Sequence, residues 1–200
     1  MARPRNQTKR RDELISAAAQ AVLQHGAAGM KLADIAQEAG LTSASVLYYY
    51  PDVRDLFSAV FEHGSLEYCL RREEHVAGVP SPTEKLDECI RSGVPRPGAT
   101  EEASRILYEL MPVVLRNQAA ASQYATFIER QTALYEAILE EGQAAGEFQL
   151  VATSKELARN FVALEDGYGI NVLTGAITAD EEEEALIRYA RISTRAAISA

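Results

Sequence analysis

At 200 residues, 47% of them hydrophobic, the chain is long enough for one domain or two small ones and carries enough apolar material for a core. The formal net charge of -9 is unevenly spread: residues 1–54 hold seven Lys or Arg against five Asp or Glu, and the remainder thirteen against twenty-four. No apolar run of signal or membrane length follows the basic amino terminus, and Cys69 and Cys89 are too few and too far apart for a zinc site, so export, membrane insertion and a structural metal are all excluded as expectations and a reducing cytoplasm is favoured.

The absence of tryptophan, the scarcity of strand patterns and long stretches of 3.6-residue periodicity predict an all-α fold. The first segment, with Arg3, Arg5, Lys9, Arg10 and Arg11, reads as a flexible basic arm able to reach phosphates or a minor groove; a tail kept for solubility is the competing reading. From about Arg11 to His25 a first helix is expected, with Leu14, Ile15, Ala18, Val22 and Leu23 on one face.

Residues Leu32, Ile35, Ala36 and Ala39 then form an apolar stripe on a second short helix, which Gly40 stops. Thr42 offers an N-cap oxygen for a third, on which Val46 and Tyr49 face inward while Thr42, Ser43, Ala44, Leu47 and Tyr48 stay outside. Two helices joined by a glycine turn describe a helix-turn-helix that inserts its second helix in the DNA major groove, although a plain helical hairpin has the same outline. Lys31 is a poor cap whose charge opposes the helix dipole, which fits a phosphate neighbour or an exposed lysine without a role. Pro51 ends the third helix, and Asp52 with Asp55 resembles a capping box that opens a long fourth one.

The span from about Arg11 to Phe57, with its IAQEAGL, short helix, aromatic cluster and Pro-Asp entry, resembles the DNA-binding domain of the TetR family of one-component regulators. In an ungapped match Leu47 stands where the family usually has tyrosine and Val53 where it has lysine; Tyr48 and Arg54, one place later, are the residues able to take those roles. The resemblance implies residues 1–52 as arm and DNA-binding domain and 53–200 as a helical effector-binding and dimerisation domain. It also implies a homodimer on a double-stranded operator, with Arg3, Arg5, Lys31, Thr42, Ser43, Ala44, Leu47, Tyr48 and Arg54 at the DNA.

Along the fourth helix, to about Val76, Leu56, Val60, Phe61, Leu66 and Leu70 give an apolar side, with charges clustered at Arg71 to Glu74. Gly78, Pro80 and Pro82 break the chain before a helix around Thr83 to Arg91, and Pro112 predicts a kink or division in the next helical stretch. A strong amphipathic helix is expected from about Ala119 to Ala145, closed by Gly142 and Gly146. The helix from about Ser154 to Ala176 carries a packing seam at Leu157, Phe161, Leu164 and Tyr168, and the last, from Thr178 or Asp180 onward, is acidic at its start and basic later, matching the helix dipole. The family would pair these two with their copies as a dimer interface; intrachain core is the alternative.

Catalytic chemistry finds no footing. None of His25, His63 or His75 has Glu three residues before it, no GxxxxGK occurs, and Gly167 and Gly169 lie in a helical pattern with no preceding strand. No cofactor or metal is expected. Tyr68, Tyr108, Met111, Tyr124, Phe127 and Phe161 are instead materials for an apolar effector pocket or plain core, and Glu165 and Asp166 would face a cationic effector or solvent. The DG step at Asp166-Gly167 is similar to that of the choline-responsive, BetI-like branch. The sequence thus points to a TetR-type repressor released from a near-palindromic operator by a small molecule. A helical ligand-binding or adaptor protein whose head contacts protein is the rival.

Overall fold

Helix α1 (Arg3–His25) begins eight residues before the sequence suggests, so the expected flexible arm is helical. Pro4 falls in the first turn, where its missing N–H is no loss, and Lys9 and Arg10 both reach Glu13 one turn on. The computed structural model describes the backbone of residues 3–195 and the side chains of residues 7–195, and among these it contains helices and no strand.

The chain forms two compact units, one from residues up to Leu66 together with Arg105–Tyr124, the other from Glu67–Ser104 together with Ala125 onward. A division after Asp52 follows the end of the third helix; the compact units part instead within α4 (Val53–Ala77), because Leu56, Val60 and Phe61 are buried in the first unit.

In that first unit α1 packs on α2 (Leu32–Glu38), and α2 on α3 (Ser43–Tyr49). The α2–α3 turn is built as the sequence requires. Gly40 takes φ +63°, its N–H donates to the Gln37 carbonyl, and Leu41 N–H donates back to Ala36 at 2.8 Å. The buried stripe is Leu14, Ala18 and Val22 from α1, Ile35 and Ala36 from α2, and Val46 from α3. The same unit contains the end of α6 (Ala99–Glu109) and α7 (Met111–Val114), which Pro112 divides from α6 as expected. Glu109 accepts a hydrogen bond from Ala27 N–H at 2.9 Å, tying α6 to the α1–α2 loop.

The second unit contains α5 (Pro82–Gly93), most of α8 (Gln118–Ala144), α9 (Ser154–Leu173) and α10 (Ala179–Thr194). Three of these open on capping boxes, Ser81 with Glu84, Thr153 with Glu156 and Thr178 with Glu181. Leu86, Ile90, Tyr135, Leu139, Phe161 and Leu186 are fully buried at its centre. Two expectations fail. Leu66 and Leu70 are exposed, and α4 instead buries Ser65, Tyr68, Cys69, Arg72 and Val76 as the covered stripe turns around the helix. Gly142 does not close α8: it lies within the helix, where a Cβ would strike the Phe148 ring.

Candidate nucleic-acid interface and a buried polar cluster

Thr42 caps α3 by accepting Ser45 N–H at 3.2 Å, so its hydroxyl is engaged in holding the helix start. Seven residues later the helix ends, and what it shows outward is Ala44, Leu47, at 39% exposure, and Tyr48, at 72%, with Ser43 half-buried. The inward aromatic is Tyr50, not the expected Tyr49, which is half-buried with its ring edge-on to Tyr48. Tyr50 has left helical geometry, at φ -133° and ψ 88°, so the 100° spacing no longer decides which way it points. Arg11 closes this end: Nη2 donates to the Tyr49 carbonyl at 3.3 Å and its guanidinium sits 5.3 Å from the centre of the Tyr50 ring.

Lys31 is exposed at the α2 start, and its backbone N–H donates to the Asp34 carboxylate at 2.7 Å. Asp34, absent from the sequence reading, does the capping that Lys31 does not. Arg54 is exposed with Nη2 2.6 Å from Asp52 Oδ2, and Asp52 Oδ1 accepts its N–H at 2.8 Å, in place of the anticipated partnership with Asp55. These bonds hold the Asp52 carboxyl below the usual carboxylate range. The side chains of Arg3 and Arg5 lie outside the described residues.

In the second unit Arg72, completely buried, gathers groups from four helices. From α9, Glu165 receives Nη2 at 2.7 Å on one oxygen and Nη1 at 3.0 Å on the other; α8 supplies Gln131 to Nη1 and the Tyr135 hydroxyl to Nη2. Helix α5 supplies the Cys89 carbonyl at 2.7 Å and Ser92 Oγ to Nε. The guanidinium lies 5.5 Å and 5.4 Å from the ring centres of Tyr68 and Tyr135, so every face of the cation is covered. Burial is the largest single influence and works against its charge, but Glu165 together with Cys89, Tyr68 and Tyr135 outweighs it and holds the guanidinium well above its ordinary pKa. For Glu165 burial pushes the carboxyl up, opposed by Arg72 and the Tyr135 hydroxyl. Gly93 lacks the Cβ that would collide with Glu165, and Tyr68 donates to the Gly93 carbonyl at 3.2 Å. Asp166, half-buried, is raised to about 6 by burial and by Glu165.

The residues expected at an effector pocket therefore divide. Tyr68 and Phe127 meet edge to face at 5.8 Å and Phe161 stacks on Tyr135 at 4.8 Å, all in the second unit with Glu165 and Asp166. Tyr108, Met111 and Tyr124 belong to the first unit, where Tyr124 packs near Phe61. Glu165 does not stand open for a cationic ligand; Arg72 already fills that place. Arg72 was hidden in a run of charges, and its signal is the spacing Ser65, Tyr68, Arg72, Val76. Among the described residues no group of three or more His, Cys, Asp or Glu is placed to hold a metal, and no helix is long and apolar enough to cross a membrane.

Residues 14–60 match the bacterial regulatory proteins of the tetR family, and residues 82–192 match the carboxy-terminal domain of BetI-type transcriptional repressors. The chain is 25% identical over 186 residues to the HTH-type transcriptional regulator YfiR of Bacillus subtilis, covering 88% of this chain and 83% of that protein. Among solved structures it is similar to a transcriptional regulator from Saccharomonospora viridis in complex with choline, at TM-score 0.86 and 21% identity, with 94% and 98% of the two chains covered. Escherichia coli NemR in its reduced form gives TM-score 0.78 at 17% identity, covering 94% of this chain and 100% of that one.

Proposed function

The chain belongs to the TetR family of bacterial regulatory proteins, whose members are transcriptional regulators and not enzymes, and from that premise we propose a repressor that a small molecule releases from its operator. The observation that carries the reading is α3, a seven-residue helix fixed at one end by Thr42 and Gly40 and at the other by Arg11, with Ala44, Leu47 and Tyr48 turned outward. Tyr48, Leu47, Ala44 and Ser43 read base edges and methyl groups, while Lys31, Arg54 and the amino-terminal Arg3 and Arg5 meet phosphates. Thr42 contributes its backbone position, since its hydroxyl is engaged in the cap.

A two-fold dimer through α9 and α10 presents two such helices to successive major grooves, about 34–36 Å apart, and so selects a near-palindromic site. Ala163, Gly167, Ile170 and Asn171 form an exposed stripe on α9, small enough in its first half for a second helix to approach. The effector acts in the helical body, where Tyr68 faces the Arg72 guanidinium and Phe127 and Phe161 pack on Tyr68 and Tyr135. It lowers DNA affinity by binding better to the conformation with the wrong head separation; a preference of about 100-fold shifts that balance by close to 3 kcal/mol.

Footprinting on promoter fragments tests the reading. Protection of a near-palindrome, with affinity falling steeply between about 50 and 200 mM salt, is the expected result. Equal binding to random duplex, or capture of a protein by the head with little salt dependence, would reject it in favour of an adaptor.

A further inference from the structure

Glu182 lies in the first turn of α10 with 0% of its surface exposed, and neither carboxyl oxygen has a hydrogen-bond partner. The residues on either side are engaged. Glu181 accepts the Thr178 N–H at 2.7 Å, and Glu183 binds Arg96 at 2.6 Å and Arg91 at 3.1 Å. Helix α10 packs on α9 and α5, and the arginines Arg72, Arg91, Arg96 and Arg191 on and around this seam already have acids of their own. Arg91 of α5 meets Glu183; Arg96, just beyond α5, divides between Asp180 and Glu183; Arg191 of α10 itself meets Asp87 at 2.5 Å; and Arg72 is held by Glu165. The charged group that reaches Glu182 from α9 is Glu165, of like sign. Glu182 is thus a surplus carboxyl in the middle of a packed seam, in register with the buried Leu186 and Ala190. With no hydrogen-bond donor, and with Arg96 already divided between Asp180 and Glu183, an ionised carboxylate is poorly sustained there, whereas a neutral carboxylic acid is.

We propose that Glu182 carries a proton in the folded protein at neutral pH, and that losing it in mildly alkaline solution opposes the packing of α10 against α5 and α9. The inference concerns this seam alone and does not depend on the DNA reading. Burial pushes the carboxyl up to about 8, Glu165 adds to the push, and Arg96 opposes it. In the unfolded chain the same group titrates at about its ordinary value, near 4.3. Between these values the folded chain binds the extra proton, so the stabilisation is whole below the lower value and is lost as pH rises through the upper one. Asp166, raised to about 6, acts in the same direction but is mostly ionised by neutrality. Glu165 is also raised by burial, and because the Glu182 variants keep it, comparison with them isolates the contribution of Glu182 between pH 7 and 9.

The test is denaturant unfolding of the full chain at pH 7, 8 and 9, beside Glu182→Gln and Glu182→Met, with infrared spectra of the native proteins. The wild-type folding constant is expected to fall about tenfold across that interval relative to Glu182→Gln. A neutral-acid carbonyl band present in wild type at pH 7 should fade by pH 9.5 and be missing from the variant. Should the Gln chain fail to fold, the Met chain, of similar length and without charge, serves in its place. Parallel pH profiles for wild type and variant overturn the proposal. So does the absence of an acid carbonyl band in the wild-type protein at pH 7, whatever the variants do.

Discussion

Arg72 and Glu165, ninety-three residues apart in the chain, form a two-pronged ion pair in which neither side chain has appreciable access to water. Such a pair is held by geometry: the attraction must offset the desolvation of both ions, and it does so only when the remaining donors and acceptors are also satisfied. Here Gln131, Tyr135, Cys89 and Ser92 supply the remaining partners for the guanidinium.

Breaking one side of the pair should cost more than removing both. Arg72→Met leaves Glu165 buried beside Tyr135 with its cation gone, at an expected loss of about 3–5 kcal/mol of stability. The double variant Arg72→Met with Glu165→Leu is expected to recover most of it, because two apolar side chains of similar volume need no partner. Denaturant unfolding of the two single variants and the double variant gives the coupling directly, and strictly additive losses would count against the pair.

The same cluster bears on ligand choice. A carboxylate between tyrosine faces is the setting in which quaternary ammonium ions bind, and this chain places its own guanidinium there. Choline should therefore give no calorimetric signal with the wild-type protein at about 1 mM, near the weak end of measurable affinity. Saturable choline binding that Tyr135→Leu abolishes would show that the cage opens to outside cations.

Local chemistry made the head legible in the sequence, and long-range chemistry hid the cluster. Gly40, Thr42, Ile35 and Val46 each perform a role fixed by neighbours within a few residues, so the two helices and their turn follow from spacing alone. Tyr50 takes the inward place expected of Tyr49 because the helix ends at Tyr49 and Tyr50 leaves helical geometry. Arg72 and Glu182 are buried at places where their spacing matches the covered stripe, but a charge argues for solvent until its partner, or its proton, is located. The identity of Arg72's partner on α9 is not encoded near Arg72 at all.

Both thiols should be inert in the native state. Burial raises Cys69 to about 11, with Arg130 and Arg72 opposing, and Cys89 to about 12, with Arg72 opposing and Glu165 assisting. Only about one thiol in ten thousand or fewer is then ionised at pH 7, and the thiolate is the reactive form. Labelling by a disulfide reagent is expected to follow the rate of unfolding, and mild oxidation to leave DNA affinity unchanged. Rapid labelling of either cysteine in native buffer would contradict this assignment.

Arg11 and Arg54 are both exposed arginines of the head, yet they should respond differently to removal. Arg54 is proposed to meet phosphate, displacing its hold on Asp52, so Arg54→Ala should flatten the salt dependence of operator binding by about one phosphate contact, a change of about 0.9 in slope. Arg11 is turned away from that task, with Nη2 on the Tyr49 carbonyl and its guanidinium over Tyr50, where it fixes the end of α3. Arg11→Ala should weaken operator binding by about 1 kcal/mol, roughly fivefold, with the salt slope intact. Arg11→Lys should recover only part of the affinity, since an ammonium keeps the charge but loses the planar face. Titrations at four or five salt concentrations separate the two roles: equal slope changes for both alanine variants would make Arg11 a phosphate contact instead of a brace for the recognition helix.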